Sequence, residues 1–310
     1  MPEGHSVHRI AHQFQADFVG HPIAVSSPQG RFAAGAELIN GQEMTAARAV
    51  GKHLFLEFEN DLVLRVHLGI YGAWDFAGNL TLVGNTYASS IGAPRVTRAI
   101  HVGEEEREKA GAVAPEDTAF PPDPVGAVRA RLLTSSAVAD LRGPTACEVI
   151  NFSEVAQVLQ RLGPDAANEP GIESEDRIVE LIARRKVPIA RLLMDQAIMA
   201  GIGNIYRAEM LFRARIDPFV LGSQLREETV RGLWRDWVSL LEIGIKTGRM
   251  MTREDLSPAE FERALDDESI RYWVYGRHGQ PCRVCGVDIA MEVMSGRKLY
   301  WCPNCQQGRK

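Results

Sequence analysis

The sequence predicts an α+β protein assembled in three successive parts: a strand-rich part over residues 1–150, a helical part over 151–268, and a small cysteine-rich part over 269–310. Three observations predict it. From about residue 22 to 100, short β-rich runs alternate with turn-forming residues. Beyond about residue 150, apolar residues recur at spacings of three and four, the mark of amphipathic helices. The last part holds four of the five cysteines.

Residues 5–20 read as a helix, with Val7, Ile10, Ala11, Phe14 and Phe18 on one face. His53–Phe58 and Leu62–His67 read as strands joined through Asn60-Asp61. Residues 103–125 carry seven acidic residues against Arg107 and Lys109, and then Pro121-Pro122-Asp123-Pro124, which reads as an exposed loop or insertion. Ala137–Leu141 reads as the last strand of the first part, ended by Arg142-Gly143-Pro144. The expected helices are Glu175–Arg185, Ile189–Ala200, Ile205–Arg213 and Glu227–Lys246. Another begins at Ser257-Pro258, with Ser257 as N-cap and Pro258 in the first helical position.

The bulk properties are those of a globular protein: 310 residues, 45% apolar and 24% charged. A core of that size needs no disulfides. No run approaches the ~20 apolar residues of a membrane span, and the opening MPEGHSVHRI lacks the apolar region of a signal peptide. A cytosolic, reducing location follows as the expectation. The net charge of −5 argues mildly against nucleic acid as a partner. Residues 271–310 nevertheless hold seven Lys/Arg against Asp288 and Glu292. Such a patch either binds phosphate locally or is plain solvated surface.

The cysteines follow Cys282-x2-Cys285-x16-Cys302-x2-Cys305. Each pair fits a tight turn that aims two thiolates at one ion, and two such turns close a tetrahedral structural Zn2+ site with no open position. Cys147 reads as an inert core thiol. Between the pairs, Ser295-Gly296-Arg297-Lys298 reads as a hairpin tip from which Arg297 can reach a phosphate. This establishes a metal and leaves the activity open.

The N-terminus offers chemistry. With Met1 removed, Pro2 would present a secondary amine, and an α-amino group titrates at about 7.7–8.0, so a neutral fraction exists near pH 7. A neutral amine can attack an aldehyde-like carbon to form an iminium, with Glu3 beside it as acid or base. An ordinary exposed terminus is the plainer alternative. Lys52, in Gly51-Lys52-His53, either brings a cation to a phosphate or sugar oxygen or is a solvated turn lysine. Gly201-Ile202-Gly203-Asn204 reads as the end of one apolar helix and, with Asn204 as cap, the start of the next. Exposed amides at that start form an anion site, although an isolated Gly-x-Gly is often only a turn. Tyr206, Met210, Leu211 and Phe212 read as core.

These motifs together resemble the formamidopyrimidine-DNA glycosylase/endonuclease VIII family, and within it the actinobacterial endonuclease VIII branch. The resemblance spans the chain: Pro2-Glu3-Gly4, Gly51-Lys52-His53, His67-Leu68-Gly69-Ile70-Tyr71-Gly72, Met194-Asp195-Gln196 through Asn204, and Tyr300-Trp301-Cys302-Pro303-Asn304-Cys305. It implies an N-terminal β-sandwich flanked by helices, a helix-two-turn-helix domain and a C-terminal zinc-finger β-hairpin, with DNA in a cleft between the halves. It implies a bifunctional DNA glycosylase/AP lyase acting on damaged double-stranded DNA as a monomer, with one structural zinc, no small-molecule cofactor and no membrane. By the same resemblance Pro2 is the nucleophile at the sugar C1′, and Glu3 handles the proton at the ring oxygen. Lys52, Asn204 with Gly203, and Arg297 hold phosphates, and Asn168 after Leu162-Gly163-Pro164-Asp165 is a further contact.

The implied mechanism flips the damaged nucleotide out of the stack. Pro2 displaces the base, and β,δ-elimination then cuts the strand. Ile70 and Tyr71 either fill the void left behind or are core of a hairpin. Oxidised pyrimidines are favoured by branch, with oxidised purines as the alternative; a zinc-dependent DNA binder without chemistry is the rival class. Two positions depart from the family pattern: Ser6 stands where some relatives carry a carboxylate, and Gly69 where some carry a larger polar residue.

Overall fold

The computed structural model describes residues 2–81, 98–102 (backbone only) and 120–307, so the acidic stretch 103–119 lies outside the described residues. The chain forms two compact units, Met1–Gln160 and Arg161–Lys310.

The first unit begins with helix α1 (Gly4–Asp17), whose residues Val7, Ile10, Ala11 and Phe14 point into the core. Strand β1 (Ala24–Ser26), the short helix α2 (Ala33–Ile39) and strands β2 (Met44–Val50), β3 (His53–Phe58), β4 (Leu62–His67), β5 (Ala73–Gly78), β6 (Arg98–Val102), β7 (Val128–Leu133), β8 (Ala137–Arg142) and β9 (Ala146–Asn151) follow. They make two antiparallel sheets, ordered β1-β7-β8-β5-β6 and β2-β3-β4-β9. Leu54, Leu56, Leu64 and Val66 from one sheet share a core with Trp74, Phe76, Leu132, Ala139 and Leu141 from the other. This is the expected β-sandwich. Helix α3 (Phe152–Leu159) covers the outer face of the smaller sheet by packing Val155 on Phe55 and Val63.

The turn at Asn60-Asp61 falls where expected, with Asp61 at φ 61°. The expectation that Ala137–Leu141 is the last strand is corrected. After the Gly143 turn (φ 58°), β9 returns and pairs with β4 along its whole length, which closes the smaller sheet.

The second unit contains α4 (Ile172–Ala183), α5 (Ile189–Leu192), α6 (Asn204–Arg213), α7 (Glu227–Thr247), α8 (Pro258–Asp266) and the hairpin β10 (Ala290–Met294) to β11 (Arg297–Trp301). Helix α7 ends on Gly248 in the left-handed conformation, the usual device for satisfying the last carbonyls. Ser257 caps α8 with Pro258 in its first turn, as expected. Glu175 of α4, nearly buried, pairs with Arg231 at 3.2 Å and Arg235 at 2.8 Å of α7, tying the two helices together.

The expected helix Ile189–Ala200 is corrected: it stops at Leu192. The Asp195 carboxylate accepts the Ala197 N–H at 3.0 Å, a local bond that competes with helical hydrogen bonding. The Ala200 N–H is donated across to the Pro164 carbonyl at 3.0 Å.

Helix α6 is buried nearly all round because it is sandwiched, and its polar Asn204, Arg207 and Glu209 are buried with it. One side carries Tyr206, Met210 and Leu211 into the helical core; the other carries Ala208 and Phe212 against Trp273, Ile289 and Cys302. At its centre Glu209 is fully buried. Its carboxylate accepts the Thr252 hydroxyl at 2.5 Å and the backbone N–H groups of Trp273, Val274 and Tyr275 at 2.7, 2.9 and 2.9 Å. A buried carboxylate needs such partners, and the three backbone N–H groups hold the stem of the cysteine-rich module onto α6.

Candidate active site and nucleic-acid interface

Pro2 and Glu3 stand immediately ahead of α1, both buried, with Glu3 fully enclosed and its backbone extended (φ −110°, ψ 179°). The Glu3 side chain does not cap the helix. The positive end of the helix dipole stabilises a carboxylate there and disfavours a protonated amine.

The end of the smaller sheet carries a cluster of basic side chains. Lys52 is half-buried in the two-residue turn between β2 and β3, made possible by Gly51 at φ 58°. The next residue, His53, lies opposite His67 in the β3–β4 register, with ring centroids 4.9 Å apart. Arg65, which also pairs with Glu148, donates from Nε to His53 Nδ1 at 3.2 Å. The Gly69 N–H donates to His67 Nδ1 at 3.1 Å. Each neutral imidazole therefore carries its proton on Nε2.

Burial, then His67 and Arg65, push the His53 imidazole down to about 3. Burial, then Lys52 and Arg65, lower His67 as well. Both rings are therefore neutral donors at pH 7. Because the folded-state value of His53 lies below the ordinary 6.5, the unfolded chain takes up the proton first. Its contribution to stability is complete above pH 6.5 and is lost as the pH falls towards about 3. We expect His53→Gln to flatten the acid side of the thermal-midpoint profile across that window; an unchanged acid slope would contradict the assignment.

Beyond β4 the chain makes one tight turn, closed by the Gly72 N–H donating to the Leu68 carbonyl at 3.1 Å. Ile70 (38% exposed) and Tyr71 (78% exposed) project from it. Of the two readings open from sequence, the hairpin-core one is corrected: neither side chain is buried. Gly69 (φ 70°) has no room for a side chain, since a Cβ there would meet Thr145 Oγ1 at 1.8 Å. Thr145 fills the space that a larger residue would need.

In the second unit, Gly201 (φ 95°), Ile202 and Gly203 lead into α6. Gly203, not Asn204, is the N-cap, which corrects the expectation; Asn204 is the first helical residue. Its side chain is nearly buried because it serves another purpose. Nδ2 donates to the Lys298 carbonyl at 2.9 Å, and Oδ1 accepts from Arg207 Nη2 at 2.5 Å. Asn168 is exposed in the turn after Asp165, its N–H donating to the Asp165 carbonyl at 3.1 Å.

Cys282, Cys285, Cys302 and Cys305 converge, their Sγ atoms all within 4.8 Å of one another. Four sulfurs at that separation fit one tetrahedral structural zinc and leave no position for substrate. The Val287 N–H, the largest influence on Cys285, draws that thiol down, while burial pushes Cys302 and Cys305 up. Cys147 is different: burial pushes its thiol up to about 12, as expected of an inert core thiol. The tip of the β10–β11 hairpin is Ser295-Gly296, with φ 52° and 76°. Two positive φ values make the hairpin turn whose twist matches its strands. Arg297 follows directly, half-buried, at the start of β11.

Sequence reasoning missed the His53–His67–Arg65 cluster, the Glu209 hub and the Asn204–Lys298 bond. The first had a signal: once the Asn60-Asp61 turn is placed, the register sets His53 against His67. The other two join residues 43 or more positions apart and had none.

Comparison with known proteins gives the same three-part plan. The formamidopyrimidine-DNA glycosylase N-terminal domain matches residues 1–111, the H2TH domain of the same glycosylases matches 162–255, and the zinc finger found in FPG and IleRS matches 279–308. Endonuclease 8 1 of Mycobacterium tuberculosis is 39% identical over 306 residues, covering 99% of this chain and all of that protein. Endonuclease 8 of Escherichia coli is 27% identical over 319 residues, covering 99% of this chain and all of that one. A solved complex between the Lactococcus lactis Fpg and DNA containing an abasic site has the same fold, with a TM-score of 0.69 at 21% identity, covering 99% of this chain and all of the other. The matching domains and the full-length relative thus define a glycosylase of the zinc-finger, helix-two-turn-helix class. The chain belongs to the formamidopyrimidine-DNA glycosylase/endonuclease 8 family and is a DNA glycosylase/AP lyase of base excision repair.

Proposed function

We propose that this chain excises oxidised bases, pyrimidines foremost, from double-stranded DNA through a covalent intermediate on Pro2 and then cleaves the resulting abasic site. The observation that carries the reading is Pro2-Glu3 at the positive end of α1, in a chain 39% identical to an Endonuclease 8 over its whole length. With Met1 removed, the Pro2 nitrogen attacks C1′ and the base departs with the glycosidic electron pair. Glu3 transfers a proton at the ring oxygen as the sugar opens to an iminium. Loss of a C2′ proton then expels the 3′ phosphate, and a second elimination expels the 5′ phosphate.

The remaining residues grip and shape the substrate. Lys52, Gly203 with Asn204, Arg297 and Asn168 are assigned to phosphates, where cations and backbone amides position the duplex without reading its sequence. The half-buried Lys52 and Arg297, the exposed turn residue Asn168 and the helix start at Gly203-Asn204 support this. Ile70 and Tyr71, exposed on a turn tight enough to admit only glycine at 69 and 72, enter the stack where the flipped nucleotide leaves a void. The zinc holds the finger and takes no part in the chemistry. The chain works as a monomer in the cytoplasm, on chromosomal DNA.

Base preference is tested by single-turnover excision from matched duplexes carrying thymine glycol, dihydrouracil or 8-oxoguanine. We expect the two pyrimidine lesions to be removed at least about tenfold faster, a difference of about 1.4 kcal/mol in the barrier. Faster removal of 8-oxoguanine would overturn the preference and leave the activity standing.

A further inference from the structure

We propose that Gln196 is the positioning residue of the phosphate-binding turn: its amide, working from both ends, sets the direction in which Gly203 and Asn204 meet the DNA backbone. The inference rests on the assignment of that turn to a phosphate. Gln196 Oε1 accepts the Gly201 N–H at 3.0 Å. Its Nε2 donates to the Ile202 carbonyl at 3.0 Å and to the Met194 carbonyl at 3.1 Å. One side chain therefore satisfies a donor and an acceptor on consecutive residues of the turn and ties both to the chain ahead of it.

Its own backbone is fixed in turn. The Gln196 carbonyl accepts the Gly163 N–H at 2.8 Å, and Gly163 lies so close that a Cβ would meet the Ile198 carbonyl oxygen at 2.3 Å. Leu162-Gly163-Pro164-Asp165 and Met194-Asp195-Gln196 thus brace the same turn from two sides. The turn needs bracing. Gly201 has a backbone conformation (φ 95°) that offers it no regular partner, and the residues after it must deliver an amide and a side chain to one anion. Only a carboxamide supplies an acceptor and two donors on one planar group. A carboxylate at this position would set an oxygen against the Met194 and Ile202 carbonyls, and a thioether would supply no donor.

The test is affinity for a duplex carrying a tetrahydrofuran abasic analogue, read by anisotropy at one salt concentration and expressed per DNA-competent molecule counted by stoichiometric titration, so that an unfolded fraction drops out. Wild type is compared with Asn204→Ala, with the near-isosteric Gln196→Met and with the double variant. A hydrogen bond to a charged group is worth several-fold in affinity, so we expect each single variant to bind at least about fivefold more weakly than wild type. Because Gln196 acts through the turn, the double variant should bind no more weakly than Asn204→Ala. If Asn204→Ala is weakened while Gln196→Met binds as wild type, or if the two losses multiply in the double variant, the role of Gln196 is overturned and the phosphate assignment stands. If Asn204→Ala binds as wild type, the phosphate assignment of the turn falls, and the role of Gln196 with it.

Discussion

A form of the protein that retains Met1, or carries any tag ahead of Pro2, is expected to lose abasic-site cleavage by at least ~10³-fold, the scale on which removing a covalent nucleophile acts elsewhere. Acylating the Pro2 nitrogen turns an amine into an amide, whose lone pair is delocalised into the carbonyl. No iminium can then form, and the electron sink for both eliminations disappears. Pro2→Gly should fall between the two. It keeps a primary amine, but the resulting imine is neutral and must be protonated before it withdraws electrons, whereas the iminium of a secondary amine is permanently cationic. The check combines cleavage rates with borohydride trapping on an abasic duplex and peptide mapping of the adduct. Full activity on material whose residue 2 is verified as acylated would remove the nucleophile from Pro2.

The second large effect is expected from the metal. Structural zinc contributes on the order of 10–16 kcal/mol to folding such modules, more than a small domain's whole margin of stability. An isolated two-stranded hairpin such as β10–β11 does not hold itself together. Stripping the zinc, or replacing Cys302 with Ser, should therefore release the hairpin. Two of the proposed phosphate contacts go with it: Arg297 loses its place, and the Asn204 amide loses the Lys298 carbonyl that orients it. Arg297→Ala keeps the metal and removes one cation. Its salt slope should be shallower than wild type by about 0.9. The zinc-free protein loses that cation and the neutral Asn204 contact as well, so it should bind more weakly than Arg297→Ala at each salt concentration. Equal affinities for the two would separate the finger from the Asn204 site.

Much of this architecture was legible because it is encoded locally. The β3–β4 hairpin follows from an Asn60-Asp61 turn between two β-rich runs, the zinc site from cysteine spacing, and the α8 start from Ser257-Pro258. Periodicity failed where local side-chain chemistry overrode it. Ile189–Ala200 has helical spacing, yet Asp195 diverts the backbone and Gly163 captures the Gln196 carbonyl, so the segment becomes a brace. Asn204 looked like a cap because asparagine usually caps; a carbonyl 94 residues away claimed its amide instead. Exposure of Ile70 and Tyr71 was undecidable from sequence, since two apolar residues at a turn can face either the core or solvent.

The acceptor for Asn204 is a main-chain oxygen, which leaves the identity of residue 298 open to drift while fixing its address. Any side chain there supplies the same carbonyl. One residue inserted between Ser295 and Arg297 would slide β11 by a step, turn that oxygen to the opposite edge and aim residue 297 at the wrong face. Relatives should therefore vary freely in what they place beside the tip and hardly at all in how many residues they use to build it. A transplanted finger should function only if its loop length matches.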